Sequence, residues 1–279
     1  MSIDLMFNLL FLSQIILMSI WLPAIVARRV RSIMAAHPET QYPRLYPRGS
    51  EFHERKLQRF IWGARATAMI GLFFWLVYNF DASNEDYAGV VWLVFMLQCL
   101  PYVMLEVFAF KAWRLMRVHD KRRVRSASLQ PRRITDIIDT TQLIILGLSF
   151  ATLCGFIAYV DQFNYSWFGG WLNAIILAAT YVFLGGLVAW QFFGRTKDPY
   201  LSESDRTRQF QHMVSQFVFV CVALSIYAMV MITLRMLDMD SLRQLAMSVY
   251  CQSLALVYYL TMLRSLRVNF EVYRETSTV

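Results

Sequence analysis

Seven apolar stretches, at residues 5–26, 61–80, 89–112, 141–160, 168–193, 214–237 and 242–263, alternate with polar segments along the whole chain. Each is about 20 residues or longer, enough for a helix to cross about 30 Å of hydrocarbon. Backbone polar groups in lipid must be satisfied within their own segment, so each stretch predicts a transmembrane α-helix. The pattern therefore predicts an all-α fold: a polytopic integral membrane protein whose single domain is a bundle of seven transmembrane helices. The stretch 5–26 is preceded by Asp4 and followed by Arg28, Arg29 and Arg31, the reverse of a signal peptide's charge order, and reads as a retained span.

Charge sets the orientation. Of 27 Lys and Arg residues, 24 fall in four segments: eight in 27–59, nine in 111–135, four in 195–212 and three in 264–279. All four segments lie on one side of the seven stretches, and the positive-inside rule makes that side cytoplasmic. The N-terminus is then outside and the C-terminus cytoplasmic, with short acidic turns outside at 81–88, 161–167 and 238–241. Trp75, Trp92, Trp167 and Trp171 fall near outer ends and Trp62, Trp113 and Trp190 near inner ends, as two interfacial aromatic belts require.

Composition agrees: 57% of residues are hydrophobic and 16% charged, against about 25% charged in soluble domains. The net charge of +8 resides in segments that flank spans and contain no nucleic-acid-binding motif. The expected partners are the lipid bilayer and anionic headgroups at the cytoplasmic face, with no nucleic acid. With short loops throughout, a bacterial inner membrane is the expected location.

Motifs exclude several chemistries. The four histidines, His37, His53, His119 and His212, all lie outside the apolar stretches, so no intramembrane pair holds a haem or a catalytic zinc. There is no H-E-x-x-H, G-x-S-x-G or Walker A sequence. No lysine occurs in 242–263 to carry a retinal Schiff base. Cys99, Cys154, Cys221 and Cys251 form no C-x-x-C pair and read as small packing residues. No cofactor, metal or catalytic motif is expected.

The candidate chemistry is the polar residues that interrupt the spans. Glu106, in the third stretch, should face protein or water, because a glutamate cannot snorkel far. Gln98 and Tyr102 precede it at steps of four on one helix face, and Pro101 frees the carbonyl of Leu97 and predicts a kink. A second stripe in the last stretch runs through Gln244, Ser248, Gln252 and Tyr259. Facing one another, the stripes would form a polar seam, either a solute or proton path gated by Glu106 or interhelical hydrogen bonding alone. Arg65, in the same leaflet, is the expected partner of Glu106, and Arg235 that of Asp238 and Asp240. Gly147, Ala151 and Gly155 form a small-residue face assigned to packing, with a homodimer as the lesser reading.

Two function classes follow. One is a small-solute or proton-coupled transporter or channel-like protein using the seam of Gln98, Tyr102, Glu106, Arg65, Ser248 and Gln252. The other is a non-catalytic sensor or assembly subunit that docks a cytoplasmic protein through the basic segments 27–59 and 111–135.

Overall fold

Each apolar stretch is largely helical, and every regular element among the described residues is helical. The computed structural model describes residues 3–80, 88–119, 138–193, 198–265 and 268–274. The expected turn at 81–88, except for its last residue, and the basic residues 120–135 lie outside them.

The first span is two helices, α1 (Ile3–Ile16) and α2 (Leu22–Ala36), joined by a π-helical turn, Leu17–Trp21. Then follow α3 (Ser50–Phe80), α4 (Ala88–His119), α5 (Thr140–Asp161), α6 (Trp171–Phe193), α7 (Glu203–Met236) and α8 (Arg243–Ser265). Among the described residues, seven helices are long and apolar enough to cross a membrane. Several outrun their apolar stretches: α3 starts at Ser50 rather than 61, and α7 at Glu203 rather than 214. Ser202 caps α7, its hydroxyl accepting from the Asp205 amide at 3.1 Å, so the charged turns that follow are helical as well.

The first span, α3, α4 and α8 form one packed group, and α7 joins α8 to the α5–α6 hairpin. Close approach of α1 to α3 depends on Gly71, where an added Cβ would lie 3.0 Å from Ile15 Cγ1. Phe11, Ile15, Phe60, Val91 and Val94 fill the space between these helices and are fully buried.

Pro23 explains the π turn. The Leu22 amide donates to the Leu17 carbonyl, an i−5 bond. The next bond in that register would run from residue 23 to the carbonyl of Met18, and proline has no N–H. The Tyr102 hydroxyl donates to that carbonyl instead, at 2.8 Å. A side chain from a neighbouring helix thus satisfies a backbone group that lipid would leave bare.

Two expectations are corrected. Gly147 and Gly155 have no atom within 4 Å of an added Cβ, and α5 packs through Leu153, Ile157 and Val160 instead. The small-residue face therefore points away from the described helices. Arg235 lies over the Trp167 ring at 4.7 Å, and Asp240 pairs with Arg243 at 3.1 Å. A tight turn with Asp238 at positive φ carries those carboxylates away from the end of α7.

Short segments close the basic end. Tyr42, Tyr200, Tyr273 and Met116 form a buried cluster beneath the helices. Tyr42 donates to Glu271 at 3.0 Å, Tyr273 donates to Asp198, and the Asn269 amide donates to Asp205 at 3.0 Å. Burial first, and Asp198 second, push the Tyr273 phenol far above its ordinary value, so it stays a donor. The hydrogen bond to Glu271 raises Tyr42 likewise.

Candidate functional site

Polar side chains of α4 and α8 meet through a third helix, α1. Gln14 of α1 is fully buried between α4 and α8. Its amide donates to Gln98 Oε1 at 3.3 Å, and its Oε1 accepts from Ser248 at 3.0 Å. Gln252 donates to the Leu10 carbonyl and to Ser13 Oγ, both at 3.0 Å. The stripes on α4 and α8 therefore meet through α1. Ser13 and Gln14 were visible in the sequence as the polar pair in the middle of the first apolar stretch, yet nothing in their spacing says which helix they face.

This layer is packed. Gln98 is 1% exposed and Ser248 0%, and Tyr102 stacks edge-on against Phe60 with ring centroids 5.5 Å apart. Only Gln98 Nε2 lacks a hydrogen-bond partner among the buried amide atoms here. Every other polar group in the layer is matched by a group on the next helix, which is what a seal between spans requires.

Glu106 belongs to a different environment. It lines a cavity of about 530 Å³ at the basic end, walled by α2, α3, α4, α7 and α8. α4 and α7 flank this cavity, each packing on α8 and not extensively on one another. The α4 wall is Leu105, Ala109, Ala112 and Met116, one helical face, with Glu106 and Trp113 on one edge of it and Phe108 on the other. Gln98, Tyr102, Ser248 and Gln252 do not reach the cavity.

The partner of Glu106 is Tyr258, whose hydroxyl donates to Oε1 at 3.0 Å. Arg65 is corrected: it is exposed and lies over the Trp62 ring at 5.2 Å. The physical reasons are register, since Gly63 stands opposite Pro101 and Lys56 opposite Phe108, and helical phase. The buried face of α3 carries Ala64, Thr67, Ala68 and Gly71, which turns Trp62, Arg65 and Met69 outward together. Tyr258 lies one residue off the stripe that Tyr259 extends in the sequence; Tyr259 instead packs against Trp21, with ring centroids 6.4 Å apart.

The cavity is mainly apolar and aromatic, lined by Phe52, Phe108, Trp113, Phe210, Tyr258 and Phe270 among others. Its carboxylates are Glu106 and Asp198. Of its two cations, Lys56 lies 4.5 Å from the Phe108 ring centroid and Arg206 5.5 Å from that of Phe210. His53 and His212 also line it, but no group of three or more His, Cys, Asp or Glu suited to a metal occurs among the described residues. A large apolar concavity with a few convergent polar groups is the usual form of a small-molecule site. Comparison of the chain with protein-family models, curated proteins and solved structures finds no significant match, so the reading of this site rests on its own geometry.

Proposed function

We propose that this protein is a membrane carrier for a small organic cation, and that the cavity beside Glu106 is its binding site. The observation that supports the reading is the pairing of that cavity with the packed layer of Gln14, Gln98 and Ser248 beyond it. A site reachable from one end and sealed toward the other is the form of one state of an alternating-access cycle. Glu106 supplies the counter-charge, Tyr258 orients it, and the aromatic wall suits an alkylated ammonium group.

The test uses octyltrimethylammonium and a cysteine at Thr261, a cavity-lining position on α8, in a background without the four native cysteines. The probe is expected to protect Thr261→Cys from a methanethiosulfonate reagent, and Glu106→Gln to weaken that protection about tenfold, as loss of a charged contact does. Uptake of the labelled probe into proteoliposomes then reads carriage. Protection that is indifferent to Glu106→Gln would end the binding reading, and protection without uptake would reduce the protein to a receptor. Docking of a cytoplasmic protein through the basic segments stays the second proposal; most of 111–135 lies outside the described residues.

A further inference from the structure

Five cations gather where α3 enters the bundle. Arg59, Lys111, Arg48 and Arg55 all lie close enough to act electrostatically on the Lys56 ammonium. Aromatic rings hold the group in place: Lys56 Nζ is 5.1 Å from the Phe52 centroid and 4.5 Å from that of Phe108, and Arg48 Cζ is 5.6 Å from Phe52. The nearby acids do not balance the cluster. Glu54 is taken by Arg31 at 2.8 Å and by Gln58 at 2.9 Å, which leaves Glu51 alone on this part of α3.

Like charges held together against an aromatic wall need a counter-ion, because their mutual repulsion is poorly screened on the low-dielectric side. The level of the cluster points to its source. Lys56 lies five residues before the first residue of the apolar stretch 61–80, about 7.5 Å along the helix. The headgroup layer on each side of the hydrocarbon is about 5–8 Å thick. Lys111 sits at the end of the apolar stretch 89–112, with a stem long enough to reach the same layer. Both side chains thus start near the basic ends of these apolar stretches, from where their stems can reach the headgroup layer.

We infer that Lys56, Lys111 and Arg59, backed by Arg48 and Arg55, form a discrete site for the phosphate of an anionic lipid in the leaflet at the basic end. The lipid's chains run along the outer faces of α3 and α4, where Val107 and Phe110 are exposed. Phe52, Lys56 and Phe108 also line the cavity that holds Glu106, so this site adjoins the proposed cation site from the opposite edge of the α4 wall, though it does not rest on that reading.

The experiment titrates delipidated protein with phosphatidylglycerol or phosphatidylcholine and counts bound lipids by native mass spectrometry. Phosphatidylglycerol should bind the wild type in preference to phosphatidylcholine. Lys56→Gln with Lys111→Gln should weaken it about thirtyfold, about fivefold for each charge and slightly more in combination. Lys56→Arg with Lys111→Arg should retain binding, which guards against mere misfolding of the glutamine pair. Arg114→Gln with Arg117→Gln, two exposed charges further along α4, should change it little. Equal weakening by the Arg114 and Arg117 pair would show a diffuse field and overturn the site. Equal binding of phosphatidylcholine, or displacement of the lipid by glycerol phosphate alone, would overturn the anionic-lipid assignment.

Discussion

Tyr102→Phe removes one hydroxyl and leaves the ring where it packs against Phe60 and Tyr258, at centroid distances of 5.5 and 6.0 Å. The loss is therefore the single bond to the Met18 carbonyl at 2.8 Å. Polar contacts between spans average about 0.6 kcal/mol and reach about 1.7. This one should lie near the top of that range, at about 1.5 kcal/mol, because Pro23 leaves the carbonyl no backbone N–H to fall back on. Pro23→Ala restores an N–H at residue 23 that can reach Met18 in the π register or Ser19 in the α register. In that background Tyr102→Phe should cost about 0.5 kcal/mol or less. Unfolding by SDS in mixed micelles, run as a double-mutant cycle, measures both numbers. Equal costs with and without Pro23 would refute the link between the proline, the π turn and the tyrosine.

Gln14→Leu should destabilise the bundle by about 1–2 kcal/mol, since it deletes two interhelical bonds, while leaving probe binding at Glu106 intact; lost binding at unchanged stability would make the layer part of the site. Gly71→Val should destabilise by about 1–3 kcal/mol through contact with Ile15, whereas Gly147→Val should leave the monomer's unfolding unchanged. Glu39 accepts from the Ser50 amide at 2.8 Å and is held below its ordinary value of 4.5 chiefly by that backbone bond. A depressed carboxylate stabilises above its unfolded value and loses that contribution as pH falls through the folded one. The protection of α3's first amides against hydrogen exchange, relative to the intrinsic rate at each pH, should thus fall below about pH 4.5, and Glu39→Gln should be weakly protected at every pH; an unchanged profile in the variant would remove the capping role.

The sequence made the seven helices legible because lipid demands long apolar runs, and charge bias marked which helix ends lie together. It was weaker wherever direction around a helix mattered. In α5 nearly every side chain is apolar, so the face of Leu153 and Ile157 and the face of Gly147 and Gly155 look equally fit to pack. Glu106 and Tyr102 stand four residues apart on one stripe, yet one lines a cavity and the other braces a broken turn of the first span. That difference follows from Pro23 and from where α4 and α7 part, neither of which periodicity records. Arg65 illustrates the same limit: its phase on α3 sends it outward, and the pairing of Gly63 with Pro101 and of Lys56 with Phe108 places it about two helical turns from the level of Glu106.

The proposed carriage requires a Glu106 cavity that is open at the basic end and sealed from the opposite end by the Gln14 layer. Single cysteines at Thr261 and Ser248, in a background free of Cys99, Cys154, Cys221 and Cys251, test it with an impermeant thiol reagent applied from either side of oriented vesicles. Thr261→Cys should react from the side of the basic segments alone, and Ser248→Cys from neither side in the absence of probe. Reaction of Ser248→Cys from the basic side would show a continuous path through the layer, and a silent Thr261→Cys would show that there is no open site at Glu106.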